Sequence, residues 1–199
     1  MRLLLLLPLL FLGLSAKAQP FDAKHPPNTY RSADNPYYWK NRPPRPGYWQ
    51  QDVHYVIKAR MDDATDALTG DEALTYVNNS PDTLRHVFFH LYQEAFVQGS
   101  YLEKLEGGLR SGKDGDVDYA GTKINSLMVD GTPLKQEQDN TILKVWLQQP
   151  LGPGERITFR INFTTHWTAD VYRRMKLFNS WGAKHYDGVH WYPRISVYD

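Results

Sequence analysis

The chain has 199 residues, of which 41% are hydrophobic and 23% are charged, the composition of an ordinary globular domain. It contains no cysteine, which excludes disulfide bonds and cysteine-ligated metal sites. The formal net charge is +1, and loss of an N-terminal segment with Arg2 and Lys17 would leave 21 basic and 22 acidic residues. Without an excess of positive charge to neutralise phosphates, we expect no nucleic-acid partner.

The first eighteen residues have the pattern of a signal peptide. Arg2 is followed by an apolar run over residues 3–14, and Ala16-Lys17-Ala18 is an A-x-A cleavage pattern. The apolar run is shorter than the roughly 20 residues that span a bilayer. We therefore predict cleavage before Gln19, export to the periplasm or the extracellular space of a bacterium, and no transmembrane span.

Proline and polar residues dominate residues 19–47, which we predict to be an extended leader, because proline neither continues a helix nor pairs inside a sheet. From residue 48 onwards, apolar and polar residues alternate with the period of a β-strand. We therefore expect one β domain over residues 48–199. The first strand is predicted in QQDVHYVIKARMD, with alternating apolar positions at Val53, Tyr55, Ile57 and Ala59.

Further strands follow in chain order. DATDALTG predicts a turn, DEALTYVNN a second strand and TLRHVFFHLY a third. TKINSLMV is followed by Asp130-Gly131, a dipeptide typical of two-residue hairpin turns, and TPLKQEQ is the predicted returning strand. TILKVWLQQ, the turn PLGPGE and RITFRINFTTHW complete the series. No segment shows an apolar stripe of helical period over three turns, so the predicted fold class is all-β, an antiparallel sandwich or saddle.

The pentapeptide HVFFH, from His86 to His90, has the outer spacing of the zinc box HExxH. The segment is predicted to be a strand, in which residues four apart are separated by about 13 Å at ~3.3 Å per residue. One zinc ion, with bonds of about 2.0–2.1 Å, cannot bind both imidazoles. Val87 also stands where the box needs its glutamate. We interpret both histidines as structural and predict no metal site in this chain.

Two other segments have a suggestive composition. DGDVD places Asp114, Asp116 and Asp118 at the spacing that opens a calcium loop. An EF-hand would need glycine and glutamate where Tyr119 and Asn125 stand, so the preferred interpretation is a hydrated acidic loop. HYDGVHWYPRISVYD concentrates aromatic, histidine and acidic residues around one proline. Its chemistry alone fits core packing and the wall of a pocket equally well.

Three stretches resemble one protein family. They are YWQQDVHYVIKARMD, LTGDEALTYVNNSPDTLRHVFFHLYQEAF and QPLGPGERITFRINF. Each is similar to part of the N-terminal domain of exported bacterial zinc aminopeptidases of the aminopeptidase N family. The relatives of leukotriene hydrolase also belong to this family. HYDGVHWYPRISVYD is similar to the segment with which that domain approaches the active-site cleft. The resemblance covers residues 48–199, and YVNNSPDTL with FFHLY is its most specific part.

The resemblance implies a peptidase whose zinc lies in another domain. In the family, a thermolysin-like domain with HExxH and a later glutamate follows the β domain, and its zinc polarises the scissile carbonyl. The present residues would then carry no catalytic group and no zinc ligand, would be inactive alone, and would wall the cleft that binds peptide N-termini. The family's β domain also supplies a polar or acidic side chain to the substrate amine. The resemblance places Asp187 at that position, with His190 as a second candidate, although Lys184-His185-Tyr186 departs from the family's flanking pattern.

Two alternatives remain open beside the peptidase domain. The first is a stand-alone, non-catalytic β-sandwich binding module of the cell envelope, and the discriminating observation is the reading frame beyond Asp199. Because RISVYD is an alternating strand pattern with no polar tail, we expect that frame to continue into a domain with HExxH. The second is a carbohydrate-binding sandwich, which would need exposed coplanar tryptophans. Trp146 and Trp167 are the candidates, but both are predicted to lie in the core.

Overall fold

A computed structural model describes residues 33–35, 38–97, 99–106, 121–167 and 176–198. The chain divides into two compact units, residues 1–48 and 49–199. In the first unit, a 3₁₀ turn spans Trp39–Asn41. The predicted signal peptide and the DGDVD segment lie outside the described residues. Among the helices that the structure describes, none is long and apolar enough to cross a membrane.

The second unit is built from strands, and its helical parts are short. A 3₁₀ turn spans Tyr92–Phe96 and one α-helix, α1, spans Tyr101–Glu106. The described strands are β1 (Asp52–Asp62), β2 (Ala67–Val77), β3 (Leu84–His90), β4 (Gly121–Val129), β5 (Thr132–Pro133), β6 (Gln136–Asp139), β7 (Ile142–Leu151), β8 (Arg156–His166), β9 (Lys176–Ser180), β10 (Ala183–Asp187) and β11 (Arg194–Ile195).

The strands form two sheets and a separate hairpin, and every described strand pair is antiparallel. The five-stranded sheet, called sheet A, has the order β1-β2-β8-β4-β5. The four-stranded sheet, called sheet B, has the order β11-β3-β7-β6, and β9 pairs with β10 alone. The prediction of an all-β, antiparallel fold is confirmed.

The hydrophobic core lies between the two sheets. Phe89 of β3 and Phe159 of β8 are fully buried and meet edge to face at 5.5 Å. Gly70 leaves room for the Phe163 ring, because a Cβ at this position would stand 2.4 Å from the ring. Sheet A contributes Leu74, Tyr76, Leu127, Phe159, Ile161 and Phe163 to the core, and sheet B contributes Leu84, Val87, Phe89, Leu143, Val145, Leu147, Leu151 and Ile195.

In strand β1, the apolar positions of one alternating pattern differ in burial. Its strand conformation is confirmed, and Tyr55 and Ile57 pack against the core. Val53, by contrast, is 46% exposed and Ala59 is also exposed, although both belong to the same alternation. β1 is an edge strand of sheet A, paired with β2, and its inner face is covered only in part, at Tyr55, Ile57 and Met61.

Two turns test the turn predictions. Asp130 and Gly131 have φ angles of 49° and 76°, and Val129 pairs with Thr132, so the predicted two-residue hairpin is confirmed. The turn predicted in DATDALTG is shorter than expected, because β2 already begins at Ala67. Ala67 pairs with Asp62, so backbone hydrogen bonding continues into the segment assigned to the turn.

The returning strand predicted in TPLKQEQ is two strands in different sheets. Thr132 and Pro133 pair with β4 in sheet A, whereas β6 pairs with β7 in sheet B. Between them, the Leu134 N–H donates to the Leu127 carbonyl at 3.1 Å, and the Lys135 carbonyl accepts from the Trp146 N–H at 3.0 Å. Leu134 is the apolar residue buried at this crossing. The prediction of one continuous strand was therefore wrong.

Candidate functional site

Asp187 is the last residue of β10, and its carboxylate is accessible. Its side chain is 46% exposed, and Oδ1 lies 3.3 Å from Nε2 of His185. The backbone carbonyl of Asp187 accepts a hydrogen bond of 3.1 Å from Nε1 of Trp167, a buried residue. The buried indole therefore fixes the backbone of Asp187, while the carboxylate stays available to a ligand.

The other side of β10 is tied to the turn between β1 and β2. Tyr186 donates from its hydroxyl to Asp66 at 2.6 Å, and Lys184 forms an ion pair with the same carboxylate at 2.7 Å. Tyr186 also meets Trp167 edge to face at 5.9 Å. Desolvation, followed by the hydrogen bond to Asp66, raises the pKa of Tyr186 to about 12. The hydroxyl thus keeps its proton and remains a donor at neutral pH.

His190 lies in the loop between β10 and β11, in a conformation unusual for its residue type. Its φ is 58°, in the left-handed region. Gln93, which is buried, donates from Nε2 to the carbonyls of Val189 at 3.0 Å and His190 at 3.3 Å. The Thr165 hydroxyl holds the next carbonyl, that of Trp191, at 2.8 Å. The loop backbone is therefore fixed from two sides.

The imidazole of His190 ends a stack of three rings. The Tyr92 ring stacks on the His190 ring, with centroids 4.2 Å apart. The Tyr92 ring also stacks on the His90 ring, with centroids 5.1 Å apart. The His90 Nε2 atom is 2.9 Å from the Ser196 hydroxyl. Desolvation, followed by the charge of Arg194, lowers the pKa of His90. His90 is therefore neutral at pH 7 and serves as a packing and hydrogen-bonding group.

The structure does not join the two candidate residues into one site. Asp187 contacts His185 and His190 contacts Tyr92, and no hydrogen bond or ion pair links Asp187 with His190. Directly after His190, Trp191 and Tyr192 pack against the core. Within HYDGVHWYPRISVYD, Trp191, Tyr192 and Ile195 thus serve core packing, and Asp187 lies at the exposed start of the segment.

Two open cavities lie elsewhere, and neither is lined by Asp187 or His190. One of about 370 Å³ lies on sheet A, lined by residues of β1, β2, β4 and β8 that include Lys58, Asp71 and Arg160. One of about 240 Å³ lies beside β3 and includes Phe88 and Tyr198. Ser196, Val197 and Tyr198 of the terminal segment line the second cavity, so this segment contributes to a pocket as well as to the core, at a place away from Asp187 and His190.

Two acidic residues that the sequence reasoning passed over are buried. Glu94 accepts hydrogen bonds from the Thr122 N–H at 2.7 Å and from Gln138 Nε2 at 2.9 Å, so it links the 3₁₀ turn to β4 and to sheet B. Glu72 is 2% exposed, and neither of its carboxylate oxygens has a hydrogen-bond partner among the residues that the structure describes. Desolvation raises the pKa of Glu72 to about 8. The alternation in β2 could have revealed Glu72, since it is in phase with buried Leu74.

Zinc has no set of ligands in the part of the chain that the structure describes. No three His, Asp or Glu side chains there lie close enough to hold a metal ion. His86 and His90 lie in β3, as predicted, opposite Trp146 and Ile142 respectively. The His86 ring packs edge-on against Phe88 at 5.2 Å, whereas His90 contacts Ser196 and Tyr92. The described residues therefore do not fit a zinc site, and no step through a metal is derived from them.

The two tryptophans considered for carbohydrate binding differ in position. Trp167 is buried, as predicted. Trp146 is only half-buried, which corrects its assignment to the core. It lies between buried Val145 and Leu147 and so points away from the core, with the ammonium groups of Lys135 and Lys144 at 4.6 and 5.0 Å from its ring. One ring is therefore buried and the other is covered by two lysines, so the pair does not present two exposed rings to a sugar.

Comparisons with known proteins give distant structural likenesses only. No protein-family model and no curated protein matches the chain. One similar solved structure is a mutant M1 zinc metallopeptidase of Deinococcus radiodurans bound to a Tyr-Ser-Ala substrate, with 18% identity, a TM-score of 0.40, and coverage of 61% of this chain and 22% of that one. A two-domain M1 zinc metallopeptidase mutant bound to L-arginine has 19% identity, a TM-score of 0.42, and coverage of 68% and 26%. The chain thus spans about a quarter of the length of these structures.

Proposed function

We propose that residues 48–199 are the N-terminal domain of an exported zinc-dependent aminopeptidase, and that they wall the substrate cleft without carrying the zinc. Zinc, the general base and the scissile-bond chemistry would belong to a separate catalytic domain. This chain would contribute a rigid β-sandwich and an acceptor for the free amine of a peptide.

The observation that carries the proposal is the way the family-like stretches come together. The first forms β1, the second forms β2, β3 and the 3₁₀ turn, and the third forms the end of β7 with β8. These strands are neighbours in sheets A and B and supply most of the core. The fourth stretch, at residues 185–199, packs on that core through Trp191, Tyr192 and Ile195. The resemblance therefore follows one folded unit rather than scattered segments.

Asp187 is the proposed amine acceptor. Its carboxylate is half-exposed at the end of a strand, and its neighbour at 3.3 Å, the imidazole of His185, is itself exposed. A substrate ammonium can replace that contact without uncovering a buried charge. Charge-assisted hydrogen bonds of this kind contribute about 1.5–3 kcal/mol each. His190, whose ring stacks on Tyr92, is the second proposed candidate and would contact the substrate separately from Asp187.

The test compares peptides with free and acetylated N-termini, using the protein that joins this domain to its catalytic domain. Asp187→Asn should lower kcat/KM for free-amine peptides by roughly tenfold to a hundredfold and leave the slow hydrolysis of acetylated peptides unchanged. Asp130→Asn is the matched control, because Asp130 is an exposed turn residue whose positive φ suits asparagine. An equal loss on both peptide classes would contradict the amine-binding role.

The assignment to a peptidase has its own test. The purified 199-residue chain should not hydrolyse an aminoacyl-anilide, with or without added zinc, and addition of the catalytic domain should restore activity. A catalytic domain that is fully active and equally selective for free amines without residues 48–199 would refute the proposed wall. The stand-alone envelope module would then be the better description.

A further inference from the structure

The outward face of sheet A concentrates positive charge that the overall composition conceals. Five exposed cations project from alternate positions of β1, β4 and β8: Lys58, Arg60, Lys123, Arg156 and Arg160. We call this set the basic face. The chain as a whole carries a formal charge of only +1. None of the five forms an ion pair with a carboxylate of the described residues.

The carboxylates on the same face have other partners. Asp71 accepts from Asn162 at 2.7 Å, Asp52 accepts from Asn79 at 3.1 Å, and Asp62 accepts from the Ala64 N–H at 3.0 Å. The backbone hydrogen bond from Ala64 lowers the pKa of Asp62. Hydrogen bonds to neutral amides do not cancel formal charge, so the face has five basic and three acidic side chains, an excess of two positive charges.

A recessed groove runs across this face. The cavity of about 370 Å³ is lined by residues of four adjacent strands, with Lys58 and Arg160 among them. In the register of the sheet, one row of residues across β1, β2, β8 and β4 consists of Val56, Ala73, Arg160 and Met128. The neighbouring row consists of Lys58, Asp71, Asn162 and Ser126. At about 4.8 Å per strand, the groove crosses roughly 14 Å of sheet. A linear polymer can therefore lie in it and contact cations on several strands.

The floor of the groove offers amides and hydroxyls. Ser126 and Asn162 line it, and next to the lining Asn125 donates to Asn162 at 2.8 Å and to Thr164 at 3.0 Å, so an amide ladder continues from the groove. Amide and hydroxyl groups both donate and accept, as the hydroxyl groups of a sugar do. The groove lining contains no aromatic residue. Neutral sugars and unstacked bases, which bind by stacking on aromatic rings, are therefore poorly matched to it.

We propose that the basic face binds an acidic polysaccharide, a glycan with carboxylates spaced along the chain. The carboxylates would pair with Lys58, Arg160 and their neighbours, and the sugar hydroxyls would bind the amide ladder. An acidic peptide is the less favoured occupant, because extended peptides pair through their backbones at a sheet edge rather than across its face. The proposal does not depend on peptidase activity.

The experiment measures binding of alginate, a polyuronate, to the purified chain at low and high salt. Lys58→Glu/Arg160→Glu should weaken binding by about tenfold or more, and added salt should weaken wild-type binding. Arg85→Glu/Lys104→Glu makes the same change in net charge at exposed residues of β3 and α1 and should leave binding unchanged. Should the first variant unfold, the milder Lys58→Gln/Arg160→Gln replaces it, with far-UV circular dichroism as the check on folding.

Three further ligands test which class of polymer the basic face binds. Uncharged dextran should not bind, and polyglutamate and single-stranded DNA should bind more weakly than alginate. Alginate binding that survives both groove variants would overturn the proposal, as would the absence of alginate binding. Tighter binding of polyglutamate or DNA, lost in the groove variants, would reassign the face to an acidic peptide or a nucleic acid.

Discussion

Because of Glu72, the free energy of unfolding of the domain should decrease as the pH rises. The Glu72 carboxyl is buried without a hydrogen-bond partner among the described residues, and desolvation raises its pKa from 4.5 to about 8. Between these two values the unfolded chain has released the proton while the folded chain retains it. Unfolding therefore releases a proton, and the free energy of unfolding falls by about 1.4 kcal/mol per pH unit.

The change that isolates this effect is Glu72→Gln, which keeps the shape and removes the titration. Over the shift from 4.5 to about 8, the wild-type chain loses roughly 5 kcal/mol relative to the variant, and about 3 kcal/mol of this is already lost at pH 7. Any constant penalty for burying the amide is the same at every pH. The difference between variant and wild type should therefore rise from pH 5 to pH 9 and then level off.

Urea unfolding followed by tryptophan fluorescence across this pH range measures the difference. Glu137→Gln, on the exposed edge strand β6, is the matched control and should give a flat line. A flat line for Glu72→Gln as well would refute the reasoning, since it would mean that the buried carboxyl has a partner in solution or is reached by water.

Two other predictions concern β3, where neighbouring residues serve as controls for each other. Phe89→Ala should reduce the free energy of unfolding by about 3–5 kcal/mol, because Phe89 is fully buried against Phe159, whereas exposed Phe88→Ala should cost less than about 1 kcal/mol in the same urea titration. His86→Gln/His90→Gln should leave the zinc content of the chain unchanged at zero by elemental analysis. A stoichiometric zinc ion lost in the double variant would contradict the strand argument.

The sequence predicted those parts of the fold that depend on local chemistry. Asp130-Gly131 forms the expected hairpin because the turn needs positive φ at both residues, and few dipeptides supply it. The position of a strand within its sheet is a different matter. Val53, Tyr55, Ile57 and Ala59 all fit the same alternation of apolar and polar residues. Their burial differs because β1 lies at the edge of sheet A.

The candidate site was predictable only in part, for the same reason. Asp187 was placed by resemblance to a family, and nothing in its immediate sequence indicates that a buried tryptophan holds its backbone. Trp146 was assigned to the core because tryptophan is large and apolar, but two lysines cover its ring on the outer side of sheet B. Contacts of this kind join residues from different strands. The periodicity of apolar residues and the composition of a segment do not predict them.

The segment that passes from β5 to β6 determines how the domain can open. Two consecutive residues, Leu134 and Lys135, form backbone hydrogen bonds to different sheets, one to β4 and the next to β7. Neither sheet can move away from the other without breaking one of these bonds and exposing the Leu134 side chain. The sandwich therefore lacks a natural hinge at this end, and we expect both sheets to lose their structure in a single cooperative step.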